Sequence, residues 1–408
     1  MQKIIFINRF FFPDHSATSQ ILTDLVHKLS MEKSEIHIIT SRLMYDKPDA
    51  SLLPYEEIED IHVHRCWTSK FGRSGLIGRA IDYLTFYITS FFILLKLTSK
   101  DDIVIAKTDP PLISVLAGTV VIIKKAKLVN WLQDLFPEVA KELGISLLSG
   151  GLYNVIKNIR NWSLKIADKN IVLGDIMAEK VNSEIESPES TVIIPNWVVG
   201  KEMQPVKHED NLLRFEWGLN NKFVIGYSGN LGRAHDYETI LEAAIKLSDY
   251  NEICFVFIGG GAGYDALKKE VISRGLGNVY FKPYQSSDML SQSLSVPDVH
   301  LISLEPSLEG LIVPSKFYGI ISVGRPIVFL GDTDGEIARY ISKYNCGCSS
   351  VMGDSVLLAK ILLEFKENKA ECELRSLNSR KLYEDKFYVG NSINLWQNLL
   401  DNLHMAQN

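Results

Sequence analysis

The chain has 408 residues, which is enough for two or three domains of the usual size of about 150 residues. Hydrophobic residues make up 46% and charged residues 23% of the sequence, a balance that excludes a disordered, collagen-like or coiled-coil protein. The formal net charge of -6 is small for this length, so the composition gives no indication of nucleic acid as a partner.

Short apolar runs alternate with helical periodicity along the first half of the chain. Six such runs predict strands, at 3–8, 35–40, 61–64, 103–106, 128–132 and 169–173. Helical periodicity predicts a first helix over 21–29, with Ser16 or Thr18 as its cap, and further helices at 76–98, 110–123 and 151–167. Strand–helix–strand units of this size predict a parallel sheet, because parallel strands need long crossover connections.

A second alternating series follows a strand-like run at 192–195 and a polar, poorly periodic segment at 200–221. It predicts five strands and four helices: strands at 223–228, 253–258, 279–282, 300–303 and 326–330, and helices at 236–248, 263–274, 286–294 and 314–323. We therefore predict two α/β domains joined near 195–205. Ligands of such sheets bind at the carboxyl ends of the strands, so we expect the site residues directly after strands.

The cellular setting follows from the N-terminus and the cysteines. The first apolar stretch is interrupted by Asn8 and Arg9 and runs into Pro13 without a small-residue cleavage site, which favours a buried strand over a signal peptide. The five cysteines are odd in number, scattered and without the spacing of a metal site, which favours a reducing cytosol.

The loop after the first predicted strand contains His15 among small polar residues. It lacks the GxGxxG pattern of a dinucleotide-binding fold. Backbone amides at the start of the following helix would suit an anion. A capping loop with a solvated histidine explains the same residues, so both interpretations stay open.

Two glycine-rich turns follow strands of the second half. Gly229 and Asn230 precede Arg233, whose forked donors would suit a diphosphate. The next turn contains Gly259, Gly260 and Gly261. Because glycine has no side chain, this turn would let a base or ribose approach the backbone. The alternative for both turns is tight packing, which is the better interpretation of the second turn taken by itself.

The segment from 305 to 318 holds the densest set of candidate residues. Glu309 and Gly310 precede a predicted helix start, where Lys316 would oppose the helix dipole unless an anion is bound. We therefore predict a second diphosphate clamp that consists of Lys316 and the free amides of the segment containing Leu311 and Ser315. Glu309 would accept hydrogen bonds from sugar hydroxyls. A solvated helix start is the alternative.

Taken in order, five short motifs resemble family 4 glycosyltransferases of the GT-B fold. They are Ile194-Pro-Asn-Trp197, the Gly-Asn-Leu-Gly turn before Arg233, Phe257-Ile-Gly-Gly-Gly261, Glu309-Gly310 and Gly324-Arg-Pro326. The resemblance covers nearly the whole chain and is strongest from 192 to 388. Within the family it is closest to bacterial exopolysaccharide, O-antigen and colanic-acid enzymes.

The resemblance implies transfer of a sugar from a nucleotide diphosphate donor, with retention of configuration and without a metal or cofactor. In that scheme Arg233 and Lys316 hold the diphosphate, Glu309 contacts the donor sugar, and the Gly259–Gly261 turn lines the nucleotide pocket. The usual acceptor class for these relatives is a glycan linked to a polyprenyl diphosphate.

At two positions the sequence departs from the family pattern, and these departures affect which family roles can be assigned to its residues. Phe317 stands eight residues after Glu309, where a second glutamate usually binds ribose hydroxyls. Gln133 and Asp134 fall where many members carry His-Asp and are therefore implied to lie near the reacting sugar. Glutamine cannot act as a titrating base, but none is needed if the leaving diphosphate oxygen takes the proton of the acceptor. We name no general base.

Asp332-Thr333-Asp334 matches the DxD motif of metal-dependent glycosyltransferases of a different fold. Here it lies in a turn before a predicted helix, and turn and capping chemistry explains it. We therefore predict no metal ligands there.

The segment 76–98 is the most apolar part of the chain and is long enough to raise the question of a transmembrane helix. The charged residue Asp82 argues against a transmembrane span, and so does the position of the segment between two strands of one sheet. Basic residues flank the segment, as a helix lying on anionic lipid requires. We predict membrane-surface docking, with an ordinary core helix as the alternative.

We therefore predict a GT-B glycosyltransferase that adds a hexose or N-acetylated amino sugar to a lipid-linked glycan at the cytoplasmic face of the plasma membrane. Residues 1–195 would bind the acceptor, 196–388 the nucleotide sugar, and a helix at 389–408 would pack on the first domain. The candidate catalytic residues are Glu309, Gln133, Asp134 and His15. The alternatives are a sugar-nucleotide epimerase of the same fold and a two-domain sugar-binding protein.

Overall fold

Two α/β units make up the chain, as seen in a computed structural model. The structure describes residues 2–30, 35–45, 47, 51–72, 75–145, 150–199, 203–232 and 234–405. The first unit is Met1–Pro195 with Ser392–Asn408, and the second is Asn196–Asn391. The division after Pro195 coincides with the predicted domain boundary, and the last helix belongs to the first unit.

The first unit has an eight-stranded sheet in the order β3-β4-β2-β1-β5-β6-β7-β8. Its strands are β1 Lys3–Ile7, β2 Glu35–Ser41, β3 Tyr55–Ile58, β4 Ile61–Cys66, β5 Ile103–Lys107, β6 Lys127–Trp131, β7 Lys169–Val172 and β8 Thr191–Ile193. Its helices before the second unit are α1 Ala17–Ser30, α2 Leu76–Leu97, α3 Ile113–Lys124, α4 Glu138–Glu142, α5 Gly151–Ile166 and α6 Asp175–Asn182. The central strands bury nearly every side chain, as parallel strands covered on both faces must.

One strand corrects the predicted all-parallel sheet. β3 pairs antiparallel with β4. The two residues between them, Glu59 and Asp60, both adopt positive φ angles (48° and 66°), as a type I′ hairpin turn requires. This hairpin was not predicted from the sequence because the turn contains neither glycine nor asparagine.

The second unit has a six-stranded parallel sheet in the order β11-β10-β9-β12-β13-β14. Its strands are β9 Phe223–Asn230, β10 Ile253–Gly260, β11 Val279–Lys282, β12 Val299–Ser303, β13 Ile327–Leu330 and β14 Gly347–Ser350. Its helices are α7 Leu212–Glu216, α8 Glu238–Lys246, α9 Ala262–Ser273, α10 Leu290–Ser295, α11 Lys316–Ser322, α12 Glu336–Tyr344, α13 Ser355–Glu367 and α14 Lys369–Leu382. The predicted helix at 314–323 begins only at Lys316, and β14 was not predicted.

The final helix, α15 (Val389–Met405), returns the chain to the first unit. Its Trp396 is fully buried and packs edge-on against Trp131 at the end of β6, with the ring centroids 4.8 Å apart. Ser392 donates a hydrogen bond to the carbonyl of Pro195 (3.0 Å).

The strand order of each sheet reverses direction beside its first strand. The reversal lies between β1 and β5 in the first unit and between β9 and β12 in the second. Ligands of open α/β sheets bind outside the carboxyl ends of the strands at this point. Each unit therefore has its own expected site, and the predicted two-sheet α/β fold is confirmed.

Candidate functional site

Two turns that contact each other lie at the end of the second unit's sheet, beside the point where the strand order reverses. Gly229 and Asn230 end β9 and lie in register with Gly259 and Gly260 at the end of β10. The Leu231 N–H donates to the carbonyl of Gly260 (2.9 Å). The two predicted glycine-rich turns therefore form one surface.

Glycine is required where these two turns touch. Gly259 has φ +142°, and a Cβ there would overlap the carbonyl oxygen of Gly229. Gly261 has φ +115°, and a Cβ there would overlap the side-chain oxygen of Asn230. Close packing of the turns thus explains both glycines, and their contact with a nucleotide stays a prediction.

Lys316 brings a positive charge to this surface. It is the first residue of α11, and its ammonium donates to the Tyr227 hydroxyl and to the carbonyl of Asn230 (3.2 Å). The ammonium also lies 4.0 Å from the centre of the Tyr227 ring. Within the described part of the chain no carboxylate pairs with it, and burial lowers its pKa to about 7. Lys316 is a poorly solvated cation without a counterion, which is suited to an anionic ligand.

Two further polar side chains, those of His235 and Tyr284, lie on the same surface. The ring of His235 lies 2.6 Å from the carbonyl of Ser303 through Nδ1, and burial lowers its pKa to about 4, so this imidazole is neutral at neutral pH. The exposed ring of Tyr284 lies beside Gly260. Tyr284 was missed from the sequence, where its only signal is a position near a strand end. Arg233 lies outside the described residues.

Glu309 is held at the start of α12. Its carboxylate is buried and accepts a hydrogen bond from the backbone N–H of Glu336 (2.8 Å), which is the first residue of that helix. Burial raises its pKa. Gly310 follows with φ +70°, Leu311 is buried, and Ser315 is exposed before Lys316. The carboxylate therefore has a capping role, and its contact with a sugar stays a prediction.

Phe317 belongs to the hydrophobic core of the second unit. It is 1% exposed and its ring lies 5.4 Å from that of Phe387 and 6.2 Å from that of Tyr340. A charged residue at this position would be buried among aromatic rings. Phe317 therefore has a packing role and offers no group for a ribose hydroxyl.

The first unit gathers charged groups at the ends of β5 and β6. The ammonium of Lys107 donates to the carbonyl of Thr18 (2.9 Å) and lies 3.8 Å from the centre of the Trp131 ring. Burial holds the pKa of Lys107 well below its usual range. Burial also raises the pKa of Asp109 to about 6 and that of Asp134 to about 6. Carboxyl groups that titrate near neutral pH are characteristic of functional sites.

The loop after β1 contributes to the same end of this sheet. Asp14 is buried, accepts hydrogen bonds from the backbone of Ser16 (2.8 Å) and Tyr45, and raises the pKa of Asp109 by its charge. His15 is exposed, and Gln133 is half-buried next to Asp134. The structure thus places Asp134 in a titrating cluster. The sequence analysis missed Lys107 and Asp109, whose only signal is the strand end they follow.

Asp332 and Asp334 form a turn. The Asp332 carboxylate accepts a hydrogen bond from the Asp334 N–H (2.9 Å), and Asp334 pairs with Arg339 (3.3 Å). Both interactions lie at the start of α12 and agree with the turn interpretation.

The helix α2 has a large exposed apolar face. Ile77–Leu97 is long and apolar enough to cross a membrane, judged by length and composition only. Ile77 is 77% and Phe92 64% exposed. Beside this face lies an apolar groove of about 550 Å³, which Ile88, Phe92, Leu116 and Ile159 help to line. The groove is formed by α2, α3 and α5.

Comparison with known proteins identifies relatives over most of the chain, although no family model matches it. WbjE of Pseudomonas aeruginosa, named as a glycosyltransferase, is 30% identical over 312 residues, which are 73% of this chain and 75% of WbjE. WcaI of Escherichia coli K12, named as a glycosyltransferase of colanic acid biosynthesis, is 27% identical over 83% of this chain and 85% of its own. Anabaena HepE, solved with UDP-glucose, shares the fold with a TM-score of 0.72 at 16% identity over 98% of this chain and 100% of HepE.

Proposed function

Because this chain belongs to the glycosyltransferases and has the GT-B fold, we propose that it builds a cell-surface polysaccharide by transferring a sugar from a nucleoside diphosphate to a lipid-linked glycan. The nucleotide sugar would bind the second unit at the turns after β9 and β10. The acceptor would bind the first unit near Asp109 and Asp134. Both relatives are named as glycosyltransferases, and WcaI is named for a polysaccharide pathway.

The observation that carries this proposal is the ammonium of Lys316, which pairs with no carboxylate among the residues that the structure describes. It lies beside Gly229 and Asn230 with neutral hydrogen-bond acceptors as its described partners. A diphosphate would supply the missing negative charge and would restore the solvation that burial removes. HepE was solved with a UDP-sugar, which supports a nucleotide sugar as the ligand here.

A cation at the diphosphate supports a reaction that needs no metal ion, because a bound diphosphate favours the charged form of Lys316. The acceptor hydroxyl would attack the anomeric carbon while the bond from that carbon to the diphosphate oxygen breaks. The departing oxygen would take the hydroxyl proton on the same face of the sugar, which retains the configuration. Lys316, together with Arg233, would stabilise the charge that develops on the diphosphate. No step in this scheme uses Gln133 as a base.

A donor screen tests the proposal. We expect one class of nucleotide diphosphate sugar to raise the melting temperature in proportion to its affinity, and transfer to a lipid-linked acceptor to continue in excess EDTA. Strict dependence on Mn²⁺ would instead implicate Asp332 and Asp334. If the protein converts a sugar nucleotide into its epimer without any acceptor, it is an epimerase and the proposal is wrong.

We also propose that the first unit docks on the cytoplasmic face of the plasma membrane through α2. The exposed apolar side chains and the groove beside α2 supply the contact with lipid. Four lysines lie at or just after the carboxyl ends of α2 and α3: Lys96, Lys100, Lys124 and Lys125. An apolar face with basic residues at its edge matches an anionic bilayer surface.

Flotation with vesicles tests this docking. The protein should float with vesicles that contain phosphatidylglycerol and less with neutral ones, and the double variant Ile88→Gln, Phe92→Gln should stay in the soluble fraction. Both side chains are more than half exposed, so we expect the variant to fold. Phe215→Gln, a change at a 75% exposed residue of the second unit, is the control. Equal flotation of all three proteins, or none by the wild type, would argue against the docking.

A further inference from the structure

One face of the sheet edge formed by β2, β4 and β3 carries a cluster of imidazoles and carboxylates. His37 on β2 is in register with His62 on β4, and His62 is in register with Glu57 on β3. Side chains in register on adjacent strands project from the same face. Glu35 and His64 lie two residues from His37 and His62 and share that face.

Three of these side chains converge on one point. His37 Nε2 lies 2.9 Å from a carboxylate oxygen of Glu35, and the rings of His37 and His62 stack with their centroids 4.7 Å apart. One potential ligand atom from each of Glu35, His37 and His62 lies within 4.8 Å of the other two. Atoms at such separations need only small side-chain movements to share one ion, whose bonds to nitrogen and oxygen are about 2.0–2.2 Å long.

Outer partners orient the two rings. His64 Nε2 lies 3.1 Å from His37 Nδ1, and the Tyr55 hydroxyl lies 2.9 Å from His62 Nδ1. Metal-binding histidines almost always use their second nitrogen in this way, which fixes the ring and its tautomer. The cluster therefore has both an inner set of ligands and the supports that such ligands need.

The protonation states also suit a cation. Burial lowers the pKa of His37 and lowers that of His64 to about 4, while the hydrogen bond with His37 lowers the pKa of Glu35. Neutral imidazole and ionised carboxylate are the forms that bind metals. The charge of Lys3 acts on Glu35 and His37, but its ammonium donates to the carbonyl of Leu97 (3.0 Å) and lies 3.8 Å from the carboxylate of Asp102.

We propose that Glu35, His37 and His62 bind one divalent transition-metal ion, with water in the remaining positions. Two imidazoles and a carboxylate suit Zn²⁺ and its neighbours in the first row, whereas Mg²⁺ and Ca²⁺ prefer oxygen ligands. The side chains of Glu35 and His62 are 34% and 29% exposed, so an ion can enter from solvent.

The site is separate from the proposed sugar transfer. It lies at the amino ends of β2 and β4, whereas Asp109 and Asp134 follow the carboxyl ends of their strands. The ion would join β2 to β4, beside the hairpin strand β3. A hydrogen-bonded polar cluster without a metal is the alternative, and metal binding itself distinguishes the two.

Cobalt titration of the full-length, untagged protein tests the site after removal of bound metal with a chelator. We expect one equivalent of Co²⁺ to bind with a visible absorption band, and Zn²⁺ to displace it and to raise the melting temperature. His62→Gln and Glu35→Gln should each weaken Co²⁺ binding by about tenfold or more. Binding by the wild type that both variants lose would support the site.

His27→Gln is the matched control. His27 Nδ1 lies 2.9 Å from the carboxylate of Glu59, so the variant removes a histidine–glutamate pair of equal length that joins α1 to the β3–β4 turn and includes none of the three proposed ligands. Co²⁺ binding should be unchanged in it. The proposal is overturned if the natively folded wild type binds no Co²⁺, or if binding persists at full strength in both His62→Gln and Glu35→Gln.

Discussion

Replacing Lys316 by methionine is expected to weaken the binding of UDP by about 10- to 100-fold, because a hydrogen bond to a charged group contributes about 1.5–3 kcal/mol. The ammonium lies at the junction of Gly229, Asn230 and Tyr227, and no described carboxylate neutralises it. Methionine keeps most of the length and the apolar contacts of the side chain, and it removes the charge together with the hydrogen bonds to Tyr227 and Asn230. Calorimetric titration with UDP measures the effect.

The pH dependence of UDP binding gives an independent test of the same ammonium. Burial holds the pKa of Lys316 at about 7 in the free protein, and a bound diphosphate favours the charged form. Binding should therefore take up a proton, and the affinity should fall as the pH rises from about 6 to about 9. Titrations in buffers of different ionisation enthalpy measure this uptake, which Lys316→Met should abolish.

The stability of the variant should not fall with its affinity. A lysine whose folded pKa lies below its unfolded value destabilises the fold, fully at pH values below the folded pKa and no longer above the unfolded one. Lys316→Met removes this cost and also the two hydrogen bonds of the ammonium, so the two effects oppose each other and we expect the unfolding free energy to change by no more than about 1 kcal/mol. Lys268→Met, at an exposed position on α9, is the control and should bind UDP normally. Unchanged UDP affinity in Lys316→Met would show that no diphosphate binds there.

Gly259→Ala should lower the free energy of unfolding by about 2–4 kcal/mol, because it combines an unfavourable φ with steric overlap. Gly259 has φ +142°, and its hypothetical Cβ overlaps the backbone oxygen of Gly229 on the paired strand. Since backbone atoms on both sides are held by the sheet, neither can move far. The turn that ends β9 should shift, and UDP binding should weaken with it.

Urea denaturation compares Gly259→Ala with Gly277→Ala, a substitution at a glycine that has space for a methyl group. Gly277 has no atom within 4 Å of its hypothetical Cβ and does not have a positive φ. Gly277→Ala should therefore stay within about 1 kcal/mol of the wild type. If the two variants unfold at the same urea concentration, the close contact of the two turns does not constrain the fold.

The sequence predicts the fold well wherever burial repeats with a regular period. The predicted face of α1 is confirmed, since Ile21, Leu22 and Leu25 are all buried. The hairpin strand β3 escaped prediction because its four residues alternate between exposed and half-buried positions and contain three polar or aromatic side chains. Its pairing depends on β4 and on two unusual turn conformations, which local composition does not encode.

The candidate site was predictable only in part, because its chemistry depends on burial. Lys316 was visible as a cation at a predicted helix start. Lys107 and Asp109 look like an ordinary strand end, and only their packing makes them unusual titrating groups. Glu309 was identified as important, but its bond to the N–H of Glu336 joins elements 27 residues apart. Such long-range partners leave no periodic signal.

The discontinuous first unit has a consequence for how the protein is made. Trp131 packs against Trp396, and Trp131 also lies beneath the ammonium of Lys107. During synthesis Trp396 leaves the ribosome only after the whole second unit, so the first unit begins to fold without its last helix. The first unit is therefore completed last, after the whole second unit has been synthesised.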